Sequence, residues 1–171
     1  MQLRCCAVAA LMLPAFGFAT SAQAENICLT GHWQFHVDAQ GVGSTEQWFL
    51  PGDDHTGWSM RSAGEPWQLA HDDSAKAKGW YRKSVHIPEA WARQAVYLGV
   101  EDVDYGYELY VNGHLLRSYV EKSPFARQST VTEIQSRLRF GEDNWIALCV
   151  TGPRRSGGLV GRVMLSTHAR A

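Results

Sequence analysis

Short runs of alternating apolar and polar residues recur along this sequence, with Gly, Pro, Asn or Asp between them. A period of two places successive side chains on opposite faces of a β-strand, and the Val, Tyr, Trp and Ile of these runs favour strands. Helical signals are confined to a turn or two within 88–94 and 130–138. The chain is therefore predicted to be all-β, an antiparallel β-sandwich of the jelly-roll type. The runs that predict strands are 32–39, 80–88, 95–103, 107–113, 144–150 and 161–166.

One of these runs also predicts where the chain reverses. The alternation places Tyr107, Leu109 and Val111 together on one strand face. One of the two faces of this strand is expected to be core, and the other to meet solvent or a second layer of structure. Asn112-Gly113 follows directly, and these residue types adopt the positive φ angles that a type I′ turn requires. The sequence therefore predicts a β-hairpin at this point.

The first 24 residues have the features of a secretory signal peptide. Arg4 provides a positive start, residues 5–18 are mostly apolar, and residues 22–24 read Ala-Gln-Ala, a typical cleavage pattern. The apolar run is shorter than the roughly 20 residues of a membrane-spanning helix, so no membrane insertion is expected once it is removed. We therefore expect residues 1–24 to be the signal peptide and 25–171 to be a single domain. The protein is expected to be exported, to the periplasm or outside the cell.

Cysteine content suggests one covalent link in the mature domain. Of the four cysteines, two lie within the leader, which leaves Cys28 and Cys149. In an oxidising compartment we expect these two to form a disulfide, which would stabilise the fold by roughly 4 to 5 kcal/mol because it closes a long loop. Two separate buried thiols are the alternative that the sequence leaves open.

Charge and motif content argue against several classes of function. The formal net charge is −1 and no basic stripe is present, so no nucleic-acid partner is expected. No Gly-x-Ser-x-Gly nucleophile motif occurs in the sequence. Glycoside hydrolysis needs two carboxyl groups about 5 to 10 Å apart, whereas adjacent acids such as Asp53-Asp54 and Asp72-Asp73 are typical of solvated turns. We therefore predict no catalytic residue.

Histidines and acidic residues form no recognisable metal-binding pattern. His32 and His36 are the closest histidine pair in the sequence. In a strand they lie about 13 Å apart, which is too far to share one ion. We predict no cofactor and no metal ligand, although the acidic segments 51–57 and 70–76 leave a structural calcium ion open as an alternative.

Seven tryptophans are many for a domain of this size. Trp33, Trp80 and Trp145 lie within alternating runs and are expected to be buried. Trp58 and Trp67 lie in loop-like segments with glycine and acidic residues nearby. These two are the candidates for an exposed platform on which the apolar face of a sugar stacks.

A series of short motifs follows in one order along nearly the whole of 25–171. The motifs are Leu29, Gly31, Trp33, Phe35 and Asp38; Gly64-Glu65-Pro66-Trp67; Gly79-Trp80-Tyr81-Arg82 with Ile87-Pro88; Val103-Asp104; Tyr110-Val111-Asn112-Gly113; Pro124-Phe125; Gly141-Glu142-Asp143-Asn144; and Gly157-Gly158-Leu159. In this order and spacing they resemble the N-terminal sugar-binding jelly-roll domain of family 2 glycoside hydrolases, the group of β-galactosidases, β-glucuronidases and β-mannosidases. The resemblance implies a galactose-binding-domain-like β-sandwich that contacts sugar.

The resemblance also points to candidate sugar-contacting residues. Many members of that family carry an acidic residue in the loop after the hairpin, for which Glu121 is the nearest candidate here, and Asp104 belongs to the hairpin motif. With Trp58 and Trp67, these residues form the predicted carbohydrate site. The catalytic carboxylates of such hydrolases lie in a barrel domain, and 25–171 is too short for a typical barrel of about 250 residues.

The leading hypothesis is therefore an exported, noncatalytic carbohydrate-binding domain. A second hypothesis is a protein-docking module that associates with a separate hydrolase or with a cell-envelope protein. A small glycoside hydrolase in its own right is the third. Exposed tryptophans around a cleft would favour the first hypothesis, an apolar surface patch the second, and two close, partly buried carboxyl groups the third.

Overall fold

The computed structural model describes residues 25–51, 57–69, 76–103, 106–120 and 128–168. The expected signal peptide lies outside this part of the chain. Within it, regular structure consists of ten strands and two short 3-10 helices, Glu89–Arg93 and Gln135–Arg137. The strands are β1 (Asn26–Cys28), β2 (Gly31–Val37), β3 (Ser59–Ala63), β4 (Lys76–Ile87), β5 (Tyr97–Val103), β6 (Gly106–Val111), β7 (His114–Val120), β8 (Gln128–Glu133), β9 (Glu142–Pro153) and β10 (Val163–Ser166).

The strands form two antiparallel sheets, which confirms the predicted β-sandwich. One sheet has four strands in the order β1-β10-β5-β8, and the other has six in the order β3-β2-β4-β9-β6-β7. Strands β4 and β9 pair along their whole length, from Lys76 opposite Pro153 to Ile87 opposite Glu142. Of the helical segments in the described residues, neither has the length and apolar character needed to cross a membrane.

Alternation along the strands decides which side chains fill the space between the sheets. In β9, Ile146, Leu148 and Val150 are fully buried in the core. In β5 the core residues include Leu98 and Val100. Burial of each such side chain contributes roughly 1.5 to 3 kcal/mol relative to leaving it exposed. The phase of β5 is therefore fixed by its core residues, and the residues that alternate with them lie on the outer face of the four-stranded sheet.

The hairpin predicted at Asn112-Gly113 is present. Tyr107, Leu109 and Val111 of β6 all lie in the core, and β7 returns antiparallel to β6. Asn112 and Gly113 have φ angles of 48° and 83°. These positive values are the ones that a type I′ turn needs, so local turn chemistry accounts for the reversal.

A second hydrophobic layer covers the outer face of the six-stranded sheet. Trp48 and Phe49, from the segment 38–51 between β2 and β3, pack against Trp80 and Tyr110. The rings of Phe49 and Tyr110 stack with their centroids 4.4 Å apart. The outer aromatic cluster, as we call this layer, consists of Trp48, Phe49, Trp58, Trp80 and Tyr110.

The three tryptophans predicted to be buried occupy three different environments. Trp33 is fully buried in the core between the sheets. Trp80 is also fully buried, but it belongs to the outer aromatic cluster. Trp145 is half-buried, and the Arg82 guanidinium lies 5.5 Å from the centroid of its ring. The two fully buried tryptophans therefore belong to two different hydrophobic layers.

Cys28 and Cys149 are free thiols, so the predicted disulfide between them is wrong. Cys28 is exposed on β1 of the four-stranded sheet, whereas Cys149 is buried on β9 of the six-stranded sheet. Cys149 packs in the outer aromatic cluster, on the face of its sheet that points away from the core. The sandwich core stands between the two sulfur atoms, and a disulfide needs Cα atoms within about 7 Å.

Candidate functional site

A cleft of about 290 Å³ opens on the outer face of the four-stranded sheet. Since Leu98 and Val100 point into the core, the alternating residues Tyr97, Gly99 and Glu101 point outward along β5. Strand β10 borders the cleft on one side and β8 on the other. We refer to this depression as the β5 cleft.

Gly99 forms the floor of the β5 cleft. It pairs in register with Met164 of β10 and with Val131 of β8, and both residues line the cleft. Val131 is 40% exposed, so this wall presents apolar surface to solvent. Because Gly99 has no side chain, the backbone of β5 is open to whatever enters the cleft.

Tyr97 marks one end of the cleft. It is half-buried and pairs in register with Ser166 of β10. The Ser166 hydroxyl accepts a hydrogen bond of 3.1 Å from the backbone N–H of His168. This end of the cleft therefore combines an aromatic ring with a hydroxyl group and an imidazole.

At the other end of the cleft, Glu101 and Arg162 form a bidentate ion pair. Nε of Arg162 donates to Oε2 of Glu101 at 2.8 Å, and Nη2 donates to Oε1 at 3.0 Å. These hydrogen bonds raise the pKa of the Arg162 guanidinium above its usual value. A bidentate arginine–carboxylate pair has a defined orientation and presents hydrogen-bond donors and acceptors side by side.

A β-bulge lies beside this ion pair. The register of β5 against β8 shifts between Val100 and Val103. Asp102 has a φ of 49°, a left-handed conformation that residues other than glycine seldom adopt, and its backbone N–H donates to Oγ of Ser129 at 3.4 Å. Bulges redirect neighbouring side chains, and this one ends the regular pairing at the edge of the cleft.

Of the four residues predicted to bind carbohydrate, the structure describes Trp58 and Trp67, and neither lines the β5 cleft. Trp58 is half-buried in the outer aromatic cluster, on the other sheet. The Arg82 guanidinium lies 3.8 Å from the centroid of its ring, which covers one face of the indole. Asp104 and Glu121 lie outside the described residues, so their role in sugar contact stays a prediction.

Trp67 is fully buried, so the prediction that it forms an exposed platform is wrong. Its ring stacks on Tyr81, and its Nε1 donates to the carbonyl oxygen of Pro153. Its backbone N–H donates to the carbonyl oxygen of Gly157 at 2.8 Å. Contacts with a segment far along the chain therefore convert an apparent loop into part of the core.

The residues that line the β5 cleft include neither Trp58 nor Trp67, the two predicted sugar-binding residues that the structure describes. One signal was available, because the alternation in 95–103 already places Tyr97, Gly99 and Glu101 on one strand face. A glycine inside a strand often marks close approach by a ligand. No local signal places Arg162 beside Glu101, since 61 residues separate them.

Metal ligands are not grouped in the part of the chain that the structure describes. No three His, Cys, Asp or Glu side chains among these residues are arranged to hold an ion. The acidic pairs Asp53-Asp54 and Asp72-Asp73 lie outside the described residues, so the calcium alternative raised for their segments stays a prediction.

Two antiparallel sheets of this topology define an all-β sandwich domain. Residues 43–153 match the family model described as the β-galactosidase second all-beta domain. The chain belongs to that family. The resemblance that the sequence motifs indicated is therefore confirmed.

Relatives and solved structures agree with this assignment. A β-glucuronidase from Bacteroides fragilis is 25% identical over 134 residues, which cover 78% of this chain and 18% of that protein. The β-glucuronidase of Ruminococcus gnavus in complex with D-glucuronic acid matches with a TM-score of 0.71 and 13% identity, over 85% of this chain and 30% of that one. Another crystal structure of the R. gnavus β-glucuronidase matches with a TM-score of 0.72. The chain spans less than a third of each protein, and the structural likeness shows the fold.

Proposed function

We propose that this domain is a noncatalytic carbohydrate-binding domain and that the β5 cleft is its binding site. The observation that carries the proposal is the arrangement around Gly99, with an aromatic ring at one end, a Glu–Arg pair at the other and apolar walls between them. A sugar presents an apolar C–H face and a rim of hydroxyl groups, and this arrangement complements both. Membership in a family of β-galactosidase domains supports carbohydrate as the ligand class.

The carboxyl groups at the cleft favour binding without hydrolysis. Hydrolysis of a glycosidic bond uses two carboxyl groups, about 5 to 10 Å apart. Among the described residues that line the cleft, Glu101 is the one carboxylate, and Arg162 donates to both of its oxygens. This lining therefore offers a site for hydroxyl groups, and a paired acid and base for hydrolysis is not part of it.

Calorimetric titration tests the proposal. The protein is purified from the periplasm or the culture medium, where the leader-like residues 1–24 would direct it, and an N-terminus at Glu25 checks export and cleavage. The panel contains galactosides, glucuronides, mannosides, and bacterial and plant polysaccharides. We expect saturable binding of at least one saccharide. Tyr97→Ala should weaken that binding about fivefold, since the loss of one aromatic contact is on the order of 1 kcal/mol.

Tyr119→Ala provides a matched control for this experiment. Tyr119 is also half-buried on a strand, but it belongs to β7 of the six-stranded sheet. Its substitution should leave saccharide affinity unchanged. A correctly folded protein that binds no member of the panel would contradict the proposed function.

A second candidate function is docking to a separate glycoside hydrolase, and the edge strand β7 favours it. Leu115 and Val120 on this strand are 53% and 77% exposed. Exposed apolar side chains on a strand edge are typical of surfaces that pair with another chain. If β7 is the docking edge, Val120→Lys abolishes co-purification with the hydrolase and leaves saccharide titration unchanged. A complex that survives the substitution rules out docking through this edge.

A further inference from the structure

The floor of the β5 cleft is a glycine that the fold does not require. Gly99 lies inside β5, which has a neighbouring strand on each side, and its φ lies outside the left-handed region. A Cβ atom at this position would come no closer than 3.5 Å to Cγ of Met164, which is an ordinary contact. Alanine would fit, and it is more favourable than glycine inside a strand because it loses less conformational entropy on folding.

Gly79 on β4 shows what a structural glycine looks like in this domain. A Cβ atom there would lie 2.5 Å from the ring of Trp67 and 2.7 Å from that of Phe35, so packing excludes any side chain. Packing accounts for Gly79 and does not account for Gly99. A glycine inside a strand often marks a place where a ligand approaches the backbone, and the cleft side of Gly99 is open to such an approach.

We infer that the β5 cleft takes one neutral pyranose ring, laid flat over Gly99 between Tyr97 and Glu101. The inference rests on the proposed carbohydrate function and names its ligand class. Tyr97 and Glu101 are about 13 Å apart along the strand, which leaves room for a single hexose ring between their side chains. The apolar face of the ring then lies over Gly99 and against the side chains of Met164 and Val131, and its hydroxyl rim reaches the Glu101–Arg162 pair.

The ion pair at the end of the cleft suits the hydroxyl groups of such a ring. A guanidinium carries five N–H donors. Nε and Nη2 of Arg162 each donate one hydrogen bond to the Glu101 carboxylate. Donors therefore remain on Arg162, and each carboxylate oxygen of Glu101 can accept more than one hydrogen bond. A hydroxyl group both donates and accepts, so two neighbouring hydroxyls can bind to this paired donor and acceptor.

Charges around the cleft disfavour a uronic acid. The positive charge of Arg162 is already balanced by Glu101. Asp102 is exposed next to Glu101, Glu133 stands opposite Tyr97 in the pairing of β5 with β8, and His168 lies at the Tyr97 end. A ligand carboxylate would meet a neutralised cation with further carboxylates on its flanks, and like charges repel.

The test fills the cleft without disturbing the fold. In Gly99→Val, the side chain occupies the floor, and valine favours a strand, so the thermal unfolding temperature should stay the same or rise. The affinity for the bound neutral saccharide should fall at least tenfold. Ser84→Val is the matched control, since Ser84 is exposed on β4 of the other sheet, and it should leave the affinity unchanged.

Each outcome of this experiment bears on a different claim. Neutral saccharide binding that is lost in a stable Gly99→Val protein supports the inference. Binding that survives Gly99→Val overturns the cleft as the site while carbohydrate binding itself stands. Glucuronides that bind as tightly as the matching glucosides overturn the preference for a neutral ring. A wild-type protein that binds no saccharide overturns the inference together with the proposed function.

A second measurement keeps the test decisive if the valine variant misfolds. Backbone amide NMR spectra of the wild-type protein are recorded during titration with the bound saccharide. The amides of 97–101 and 162–166 should shift, whereas those of 145–149 on β9 should not. Shifts confined to the six-stranded sheet would contradict the inference.

Discussion

At the scale of single residues, the two cysteines show how strongly the position of a thiol in the sandwich changes its pKa and its reactivity. Burial raises the pKa of the Cys149 thiol to about 12, and the nearby charge of Glu108 acts in the same direction. Cys28 is exposed on the outermost strand of the other sheet. Polar groups of Thr30 lower the pKa of its thiol, and the charge of Arg162 adds to the effect. One thiol is protected and the other is reactive.

Thiol labelling of the native protein follows from this contrast. Thiolate is the reactive form, so a pKa that is lowered increases reactivity and one that is raised suppresses it. At pH 8, iodoacetamide should label Cys28 within minutes and leave Cys149 unlabelled until the protein is denatured. Peptide mapping by mass spectrometry measures both sites. Equal labelling of the two sites in the folded protein would contradict the structure, as would a Cys28–Cys149 disulfide.

Trp67 shows why a side chain in an apparent loop could not be placed from its own segment. The residues around it include Gly64, Glu65 and Pro66, which are typical of an exposed turn. In the folded chain, Gly64 donates to the carbonyl oxygen of Leu159 at 2.8 Å. That partner is nearly a hundred residues away, and local composition carries no information about it.

At the scale of elements, the segment 38–51 supplies the second hydrophobic layer through one buried carboxylate. Asp38 is 6% exposed. Its Oδ1 accepts the N–H of Val42 at 2.8 Å, and its Oδ2 accepts the N–H of Gly43 at 3.0 Å and Nε1 of Trp80 at 3.1 Å. Asp38 thereby ties the start of the segment to the sheet that it covers.

Asp38→Ala should loosen this layer and destabilise the protein. The substitution leaves buried donors without their acceptor, which costs about 2 to 4 kcal/mol in total, and it partly exposes Trp48 and Trp80 to water. Chemical denaturation followed by tryptophan fluorescence measures the stability and the red shift together. Asp143→Ala is the control, because the Asp143 side chain is 73% exposed and should contribute little. Equal stabilities of the two variants would show that Asp38 does not anchor the segment.

Strand β5 is the structural element that carries the centre of the β5 cleft. Its inward residues Leu98 and Val100 alternate in the sequence with the outward residues Tyr97, Gly99 and Glu101. The chemistry of the β5 cleft, however, depends on which strands lie beside β5. Arg162 and Met164 come from β10 or its approach, and Val131 comes from β8, so the cleft exists only after three separate strands have paired.

At the scale of the whole molecule, the sandwich separates two surfaces of different chemistry. The outer face of the six-stranded sheet is filled by the aromatic residues of its own chain. The outer face of the four-stranded sheet carries an open cleft with a glycine floor. The sequence analysis predicted that tryptophans would form a sugar-binding platform, since sugars commonly stack on tryptophan. The structure instead uses most of these rings for packing, and the open surface is lined by a tyrosine.

The sequence alone determined the all-β class, the hairpin at Asn112-Gly113 with the side-chain alternation of the strand before it, and the family resemblance. Each of these is a local property, since side-chain direction alternates along a strand and turn residues set their own φ angles. Tertiary structure alone decided the burial of Trp67, the separation of Cys28 from Cys149, and the meeting of Glu101 with Arg162. These features depend on the order of strands within each sheet, which is set by the packing of residues far apart in the chain.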